Sequence, residues 1–541
     1  MFDISLAPRR LDFRLLASAQ WITIGLIVVG IIGRLPFAAA PFVNLEYFYY
    51  QSAELITNGL GFQAALNHLF QGFNNPLGSV LAVGGAQYLF GVREWSSRLP
   101  SMVAWLIGVG AVYLGARKLW SPSVGALSAA IMGVSPLFWV YGGIAYPDVP
   151  FTALITIAML VAGWAAHRRS LILHVLAAML LGLSTLTRYN GLLFAPVIAL
   201  FVMLVVLARQ GDNSKSSWFV EVLKMWLLYA VISGAIVLPY LLWTKQVAGM
   251  IFRPGFVLVA PNELLFHAVA AVPRLGGYLI WLGAFTLPLA PFVIWEFLTL
   301  CPKKKMLRIV AFTLPVNVLV IAAVHNLEGN YNELFGEMRL GWLERLLPTL
   351  FVLILRFCLL CAGEISVVGL VLWGKERLWP NRYLALWLLI PLVTHSFYRM
   401  TQRYAMFFFP PLAIYLAWLA VTTLRLGKRR ALAIVLVSGY GVVYLGVGLF
   451  TSAYFANEGH AAADVAEYIN ANNLSISAST HNPVLANSAY LVDEARFARP
   501  SDSPIYETVA VSRNVLIHNA MYIRDVRLLG ILMKRYAIVE S

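Results

Sequence analysis

Two carboxylates lie in segments that could hold them for chemistry. Glu46 is followed at once by the aromatic run Tyr47-Phe48-Tyr49-Tyr50. Burial against aromatic rings raises the pKa of a carboxylate and suits it to general-base catalysis. The alternative is an aromatic belt at a membrane interface that carries an incidental acid. The pattern therefore makes Glu46 a catalytic candidate and leaves the belt open.

The second carboxylate, Asp148, lies between Pro147 and Pro150. Because proline fixes φ and discourages helix in the residue before it, this acid is held on a rigid turn. Asp148 also comes just before an apolar stretch that begins at Phe151, where an aspartate commonly caps a helix. Catalysis and capping are both open, and one carboxylate can do both.

Several arginines lie at the ends of apolar segments. The guanidinium group is planar and suits bidentate contact with a phosphate. A single arginine at such a position more often reaches out to lipid headgroups. The cationic candidates are Arg98, Arg188, Arg253, Arg399 and Arg403, and of these Arg98, Arg188, Arg253 and Arg403, with Tyr404, are the candidates for a phosphate site.

Other chemistries lack their motifs. The sequence has no G-x-x-x-x-G-K-[ST] phosphate loop, no H-E-x-x-H and no cluster of cysteine and histidine with metal-ligand spacing. No cofactor or metal ligand is predicted, although a divalent metal remains an open alternative. Cys358 and Cys361 form a C-x-x-C inside an apolar run, which indicates packing.

The elements that position these residues are membrane spans. Of the 541 residues, 60% are hydrophobic and only 12% are charged, which excludes an ordinary soluble enzyme and a disordered chain. Thirteen apolar runs are long enough to be predicted spans. They cover residues 15–36, 99–114, 124–141, 151–166, 171–186, 192–208, 225–243, 278–300, 309–324, 346–373, 383–394, 405–424 and 431–449.

A further apolar run, residues 76–90, is predicted not to cross. It has only 15 residues, which is short for a transmembrane helix. The distribution of Lys and Arg among the loops is a second reason. With a cytoplasmic N-terminus and 13 spans, the inner loops hold 21 Lys and Arg, and the outer loops, without the C-terminal tail, hold 10. If residues 76–90 crossed, the later basic clusters would move outside, against the positive-inside rule. The net charge of +15 is therefore attributed to membrane orientation and not to nucleic acid.

The resulting fold class is a polytopic α-helical membrane protein with a small C-terminal α/β domain outside the membrane. The membrane domain covers residues 1–451, and its long outer loop, 37–98, carries two amphipathic stretches at 47–56 and 62–70. The polar tail, residues 452–541, shows a helical pattern at 460–472 and 521–534. Short β-rich runs lie between and after these, at 474–480, 508–511, 515–518 and 536–539.

The order of these motifs resembles that of the GT-C membrane glycosyltransferases, in particular the protein-mannosyltransferase and aminoarabinose-transferase branch. Glu46 with Tyr49-Tyr50 is similar to the family's D-E-x-x-Y, and Asn75-Pro76-Leu77 to its P-P-L. Residues 90–101, FGVREWSSRLPS, match its F-G-x-x-E-W-x-x-R-L-P-S. Asp148 matches its second outer-loop acid, and Thr187-Arg188-Tyr189-Asn190-Gly191 and Arg403-Tyr404 lie where it has basic and aromatic residues.

The resemblance implies an enzyme of the inner membrane that transfers a sugar, with inversion, from a polyprenyl-phosphate donor. The acceptor would be a lipid, a polysaccharide or a protein on the outer face. Glu46 would be the base, and Asp148 would orient the acceptor or stabilise developing positive charge. Arg188 and Arg403, with Arg98, Arg253 and Tyr404 as further candidates, would bind the donor phosphate.

Two other functions compete with this one. A flippase for lipid-linked glycans would need charged residues inside the bundle instead of at its outer rim. A membrane scaffold without activity would use the tail for binding, and substitution of Glu46 would then leave its function unchanged.

Overall fold

The chain is a polytopic helical membrane protein, seen here in a computed structural model. The structure describes residues 21, 24–25, 27–42, 46–72, 75–210, 215–249, 264–300, 303–325, 347–376, 379–397, 402–425 and 430–471, and four short strands that follow. In the first half of the chain, the described helices are α1 (Leu35–Ala38), α2 (Glu46–Thr57), α3 (Gly61–Gly72), α4 (Gly78–Phe90), α5 (Glu94–Leu119), α6 (Pro122–Val134), α7 (Pro136–Tyr141), α8 (Asp148–Arg168), α9 (Leu171–Thr187), α10 (Ala195–Gln210) and α11 (Lys215–Ala248). In the second half they are α12 (Leu264–Thr286), α13 (Ala290–Leu300), α14 (Lys303–His325), α15 (Thr349–Glu376), α16 (Trp379–Ser396), α17 (Ala405–Arg425) and α18 (Arg430–Ala471).

Helix ends follow local chemistry. Ser121 and Ser170 precede α6 and α9, and each side-chain oxygen accepts a hydrogen bond from a backbone N–H in the first turn. The predicted run 124–141 divides into α6 and α7, because Pro136 has no N–H to continue the first helix. A 3-10 turn, Leu287–Leu289, likewise separates α12 from α13 within the predicted run 278–300.

Eight helical segments among the described residues are long and apolar enough to cross a membrane, and five further apolar helices are shorter. Each of the 13 predicted runs coincides with described helix, but the number of crossings stays a prediction. The run at 76–90 forms α4, whose 13 residues make it about 20 Å long by the helical rise, less than a bilayer core of about 30 Å.

The core is built around α8, α17 and the α12–α13 segment, which are buried along most of their length, while α11 and α18 turn apolar faces outward. α17 packs against α6 and α16, and α8 packs against α5 and α9. The two amphipathic stretches predicted for the first loop are confirmed as α2 and α3, and α4 lies against α2 and α5. The loop is therefore anchored to the bundle.

Four strands lie in the tail: β1 (Ile476–Ser477), β2 (Phe497–Ala498), β3 (Val509–Val511) and β4 (Leu516–Ile517). They form one sheet in the order β2-β1-β3-β4, in which β1 pairs parallel with β2 and the other pairs are antiparallel. The predicted helix at 521–534 and the predicted strand at 536–539 lie outside the described residues. A separate α/β domain at 452–541 thus stays a prediction.

Candidate active site

Glu46 is the first residue of α2 and is fully buried. Arg98, near the start of α5, donates from Nε to Oε1 at 3.0 Å and from Nη2 to Oε2 at 2.8 Å. The backbone N–H of Ala145 donates to Oε1 as well, at 2.7 Å. The position at a helix N-terminus also favours a negative charge. Both carboxylate oxygens of Glu46 are therefore engaged.

Arg98 uses all of its donors inside the protein. Besides Glu46, it donates from Nη1 to the carbonyl oxygens of Phe37, Ala38 and Ala40, and from Nη2 to that of Pro41. An arginine has five N–H groups, and each has a protein acceptor here. The prediction that Arg98 binds the donor phosphate is not supported by this geometry. The Glu46–Arg98 pair instead ties the start of the first loop to α5 and to the α7–α8 connection.

Asp148 is the first residue of α8 and is also fully buried. Its Oδ1 accepts from Arg188 Nη1 at 2.7 Å, and Oδ2 accepts no hydrogen bond from any described residue. The carboxylate accepts a hydrogen bond from a side chain and not from a backbone N–H, so Asp148 does not cap the helix. Buried polar atoms without partners are rare and call for an explanation.

Arg188 follows the last residue of α9 in an extended conformation that turns its side chain toward Asp148. Its Nη2 donates to the hydroxyl of Tyr404 at 2.6 Å, and its guanidinium lies 4.7 Å from the centre of that ring. Burial by itself lowers the pKa of Arg188, but Asp148 together with Tyr404 and Tyr49 outweighs burial, so the pKa is raised. Arg188 therefore stays charged.

Arg403 approaches the same carboxylate from a 3-10 turn, Gln402–Tyr404. Its Nε lies 3.8 Å from Oδ1 of Asp148, and its guanidinium is 5.0 Å from the ring centre of Tyr146. Two arginines therefore share one carboxylate oxygen, which leaves this group with a net charge of about +1 by simple counting of charges. Such a site attracts an anion.

Tyrosines enclose the site on the side of the first loop. The ring of Tyr49 lies 5.2 Å from that of Tyr146, and its hydroxyl accepts a hydrogen bond from Asn75 at 2.7 Å. Burial, with Tyr146 beside it, raises the pKa of Tyr49, so the hydroxyl keeps its proton at neutral pH. The loop is seated by a close approach at Gly78, where a Cβ would overlap the carbonyl oxygen of Leu186.

A buried histidine supports Arg188 through Asn190. His395 Nδ1 lies 2.7 Å from the carbonyl oxygen of Pro391, which can only accept, so Nδ1 carries the proton. Nε2 is then an acceptor for Asn190 Nδ2 at 3.0 Å, and Asn190 Oδ1 faces Arg188 Nε at 3.5 Å. His395 is not among the residues predicted from the sequence. The one feature of the sequence that could have indicated it is its position eight residues before Arg403.

The structure thus brings together Asp148, Arg188, Arg403 and Tyr404, and pairs Glu46 with Arg98 beside them. Arg253 lies outside the described residues. Within the described ranges, no group of three or more His, Cys, Asp or Glu side chains could hold a metal ion.

Known proteins that are similar to this chain in sequence include glycosyltransferases. A family model described as dolichyl-phosphate-mannose-protein mannosyltransferase matches residues 74–243, which include Asp148 and Arg188. Two curated relatives are the undecaprenyl phosphate-alpha-4-amino-4-deoxy-L-arabinose arabinosyl transferases of Pseudomonas aeruginosa strains LESB58 and UCBPP-PA14. Each is 26% identical over 400 residues, which are 71% of this chain and 55% of the relative. The chain therefore spans about half the length of these relatives.

Solved structures give weaker matches over more of the chain. ArnT from Cupriavidus metallidurans bound to undecaprenyl phosphate has a TM-score of 0.45 and 16% identity, over 89% of this chain and 86% of that one. The oligosaccharyltransferase AglB from Archaeoglobus fulgidus, in complex with an inhibitory peptide and a dolichol-phosphate, has a TM-score of 0.43 and 14% identity. That match covers 90% of this chain and 62% of AglB. In sequence, this chain is therefore similar to GT-C membrane glycosyltransferases.

Proposed function

We propose that this protein transfers a glycosyl group from a polyprenyl-phosphate donor to a hydroxyl or amine acceptor, with inversion at the anomeric carbon. The observation that carries the proposal is the environment of Asp148. One of its oxygens is held by Arg188 with Arg403 close by, and the other has no hydrogen-bond partner in the described part of the chain. The oxygen without a partner offers a place for the acceptor's proton, and the two arginines beside it offer a place for the departing phosphate.

The reaction is a direct displacement. The acceptor oxygen or nitrogen attacks the anomeric carbon and forms the new glycosidic bond. The bond between that carbon and the phosphate oxygen breaks, and its electron pair leaves with the polyprenyl phosphate. The acceptor's proton passes to a carboxylate, and a general base of this kind contributes about 10²- to 10⁴-fold to the rate.

Asp148 is a better base than Glu46 on this geometry. The resemblance implies Glu46, but both oxygens of Glu46 are engaged by Arg98 and by Ala145 N. Oδ2 of Asp148 offers lone pairs that no described residue uses. Glu46 then acts on the site indirectly, because it fixes Ala145 three residues before Asp148.

The donor phosphate is proposed to bind Arg188 and Arg403, with Tyr404 as a further donor. Of the five N–H groups of Arg188, three have acceptors, in Asp148, Tyr404 and Asn190. Two remain for phosphate oxygens, and Arg403 adds its charge. Charge-assisted hydrogen bonds that strengthen as negative charge develops on the leaving group are the kind that accelerate a reaction.

The donor class rests on the relatives, because the curated relatives are named as transferases that act with an undecaprenyl phosphate sugar. A lipid, polysaccharide or protein acceptor on the outer face of the inner membrane fits a donor whose tail stays in the bilayer. We propose the orientation predicted above, with a cytoplasmic N-terminus, 13 spans and an outer α/β domain at 452–541 that guides the acceptor. No cofactor is required by this scheme.

The test uses the purified full chain in lipid with a panel of radiolabelled polyprenyl-phosphate sugars and membrane extract as acceptor. We expect Asp148→Asn to lose turnover by about 10²-fold or more while it still binds donor. Glu46→Gln should lose turnover only in proportion to its loss of folded protein. A Glu46→Gln variant that is folded, binds donor and is inactive would reassign the base to Glu46.

The same assay separates the competing functions. If the wild type turns over no donor, with or without added divalent metal, the transferase proposal fails. Movement of intact lipid-linked sugar between leaflets would then identify a flippase, and its absence would favour a scaffold.

A further inference from the structure

Arg34 is a buried cation that the proposed reaction does not use. It lies just before α1, and only 3% of it is exposed. Its guanidinium lies between two indole rings, 3.9 Å from the ring centre of Trp105 and 4.0 Å from that of Trp139. Nε and Nη2 donate to the carbonyl oxygen of Trp139, and Nη1 donates to that of Gly30.

The charge of Arg34 is not neutralised by a carboxylate. Arg98, Arg188 and Arg403 each lie beside a carboxylate, whereas no carboxylate in the described part of the chain forms an ion pair with Arg34. Three of its five N–H groups have acceptors, so two are left over. Burying an unpaired charge is costly in a protein interior and at membrane depth. Aromatic faces and carbonyl dipoles offset part of that cost but supply no counter-charge.

A cleft gives a ligand access to this cation. It is narrow, with a volume of about 30 Å³, which is room for one or two water-sized groups such as phosphate oxygens. Its walls include Ala38, Arg98, Gly143 and Phe455 together with Arg34 itself. Arg98 has its donors occupied and its charge paired with Glu46, so Arg34 is the cation in the cleft that can bind an anion.

Large apolar side chains next to cleft residues in the chain are exposed on the surface of the bundle. Leu35, beside Arg34, is 58% exposed, and Ile32 is 59% exposed. On α5, Val103 and Leu106 are exposed next to the cleft residue Met102. Large apolar side chains at the rim of a helical bundle contact acyl chains, and an arginine at that level contacts headgroups.

We propose that the Arg34 cleft binds the phosphate group of an anionic bilayer lipid. This second anion site is separate from the Asp148 site, and the Glu46–Arg98 pair lies between the two. The phosphate oxygens accept the two remaining N–H groups of Arg34, and the acyl chains lie along Leu35 and α5. The lipid supplies the counter-charge that the described protein lacks.

The test measures lipids that stay bound to the full-length protein in native mass spectrometry, with phosphatidylglycerol, diacylglycerol of the same chains, and inorganic phosphate as probes. We expect phosphatidylglycerol to bind at least about tenfold more tightly than diacylglycerol, the size typical of one charge-assisted contact. Arg34→Gln should abolish that preference. Competition by inorganic phosphate would support a site for phosphate from either source, and its absence would support a site that also needs the acyl chains.

Two further variants keep the result interpretable. Gly143→Leu fills the cleft and leaves Arg34 in place, since a Cβ at Gly143 makes only ordinary contacts, and it should also remove phosphatidylglycerol. Arg117→Gln, at the other end of α5 on an exposed side chain, is the matched control and should bind as the wild type does. Equal retention of diacylglycerol and phosphatidylglycerol, or unchanged binding in Gly143→Leu, would overturn the proposal.

Discussion

The Glu46–Arg98 and Asp148–Arg188 pairs are both buried ion pairs, but the residues around them differ, and so do their roles. Removing one partner of a buried pair leaves an uncompensated charge, which costs about 3–5 kcal/mol. Arg98 also holds four carbonyl oxygens of the chain that leads into the first loop. Its loss therefore leaves more groups unsatisfied than the loss of Arg188, whose remaining contacts are Tyr404 and Asn190.

We expect Arg98→Gln to lower the melting temperature more than Arg188→Gln does, measured on purified protein in one detergent. Glu46→Gln/Arg98→Gln should be less destabilised than the sum of the two single variants, because the double change leaves no lone buried charge. Strict additivity, or a larger loss in Arg188→Gln, would contradict the structural role of Arg98.

His395 and Asn190 are positioning residues for Arg188, so their substitution should affect donor handling more than folding. We expect Asn190→Ala and His395→Ala to lower kcat/KM for the donor about tenfold, and Arg188→Ala to lower it about 10²- to 10³-fold. His395→Gln, which can still accept from Asn190, should recover part of the loss.

The control for this prediction is His174→Ala. His174 is also buried and hydrogen-bonded, to the Tyr229 hydroxyl, but it lies near the other end of α9 from Arg188. Its substitution should leave the kcat/KM of folded protein unchanged. An equal effect of His174→Ala and His395→Ala would mean that both act through stability alone.

At the scale of elements, α12 and α15 approach each other through two glycines. A Cβ at Gly283 would overlap the carbonyl oxygen of Leu359, and a Cβ at Gly363 would overlap that of Leu279. Lipid offers no hydrophobic force to join helices, so close backbone contact through small residues contributes much of their packing. The two helices therefore have no room for a methyl group at either position.

We expect Gly283→Ala and Gly363→Ala each to destabilise the protein by about 1–3 kcal/mol, the usual cost of overpacking. Gly234→Ala and Gly439→Ala are the matched controls, because nothing lies within 4 Å of a Cβ at either helical site. There alanine should be neutral or stabilising by up to about 1 kcal/mol through helix propensity. Thermal melts of the four variants make the comparison, and similar losses in all four would exclude helix contact as the cause.

The sequence predicts most helices here, because an apolar run of sufficient length has few other solutions in a membrane. It does not predict which distant residues meet. Arg34 was contained in the first apolar run with no sign that Trp105 and Trp139 would enclose it. Arg98 and Arg188 both lie at the end of an apolar run. The N–H groups of Arg98 are all used, mostly by carbonyl oxygens, whereas Arg188 has N–H groups without an acceptor among the described residues. Such differences depend on contacts between residues that are 40 to 216 positions apart in the chain, which no local pattern encodes.

At the scale of the whole molecule, the predicted orientation follows from charge. The chain carries 40 Lys and Arg against 25 Asp and Glu, and the basic clusters at 303–305 and 428–430 fall on the side predicted to be cytoplasmic. The Glu46, Asp148 and Arg188 segments fall on the opposite side. An odd number of spans puts the tail on that side too. If residues 76–90 crossed, Asp148, Arg188 and the tail would move together to the cytoplasmic side, and Glu46 alone would stay outside.

Labelling of single cysteines tests that orientation directly. In a background with Cys301, Cys358 and Cys361 replaced by alanine, Asn58→Cys and Ser541→Cys should react with an impermeant maleimide in intact spheroplasts. Lys428→Cys should react only after the membrane is permeabilised. If residues 76–90 did cross, the accessibility of Lys428→Cys and Ser541→Cys would be exchanged while that of Asn58→Cys stayed the same. Such a result would put Glu46 and Asp148 on opposite faces of the membrane. Because the Glu46–Arg98 pair and Ala145 join them at one end of the bundle, we expect Ser541→Cys to react from outside.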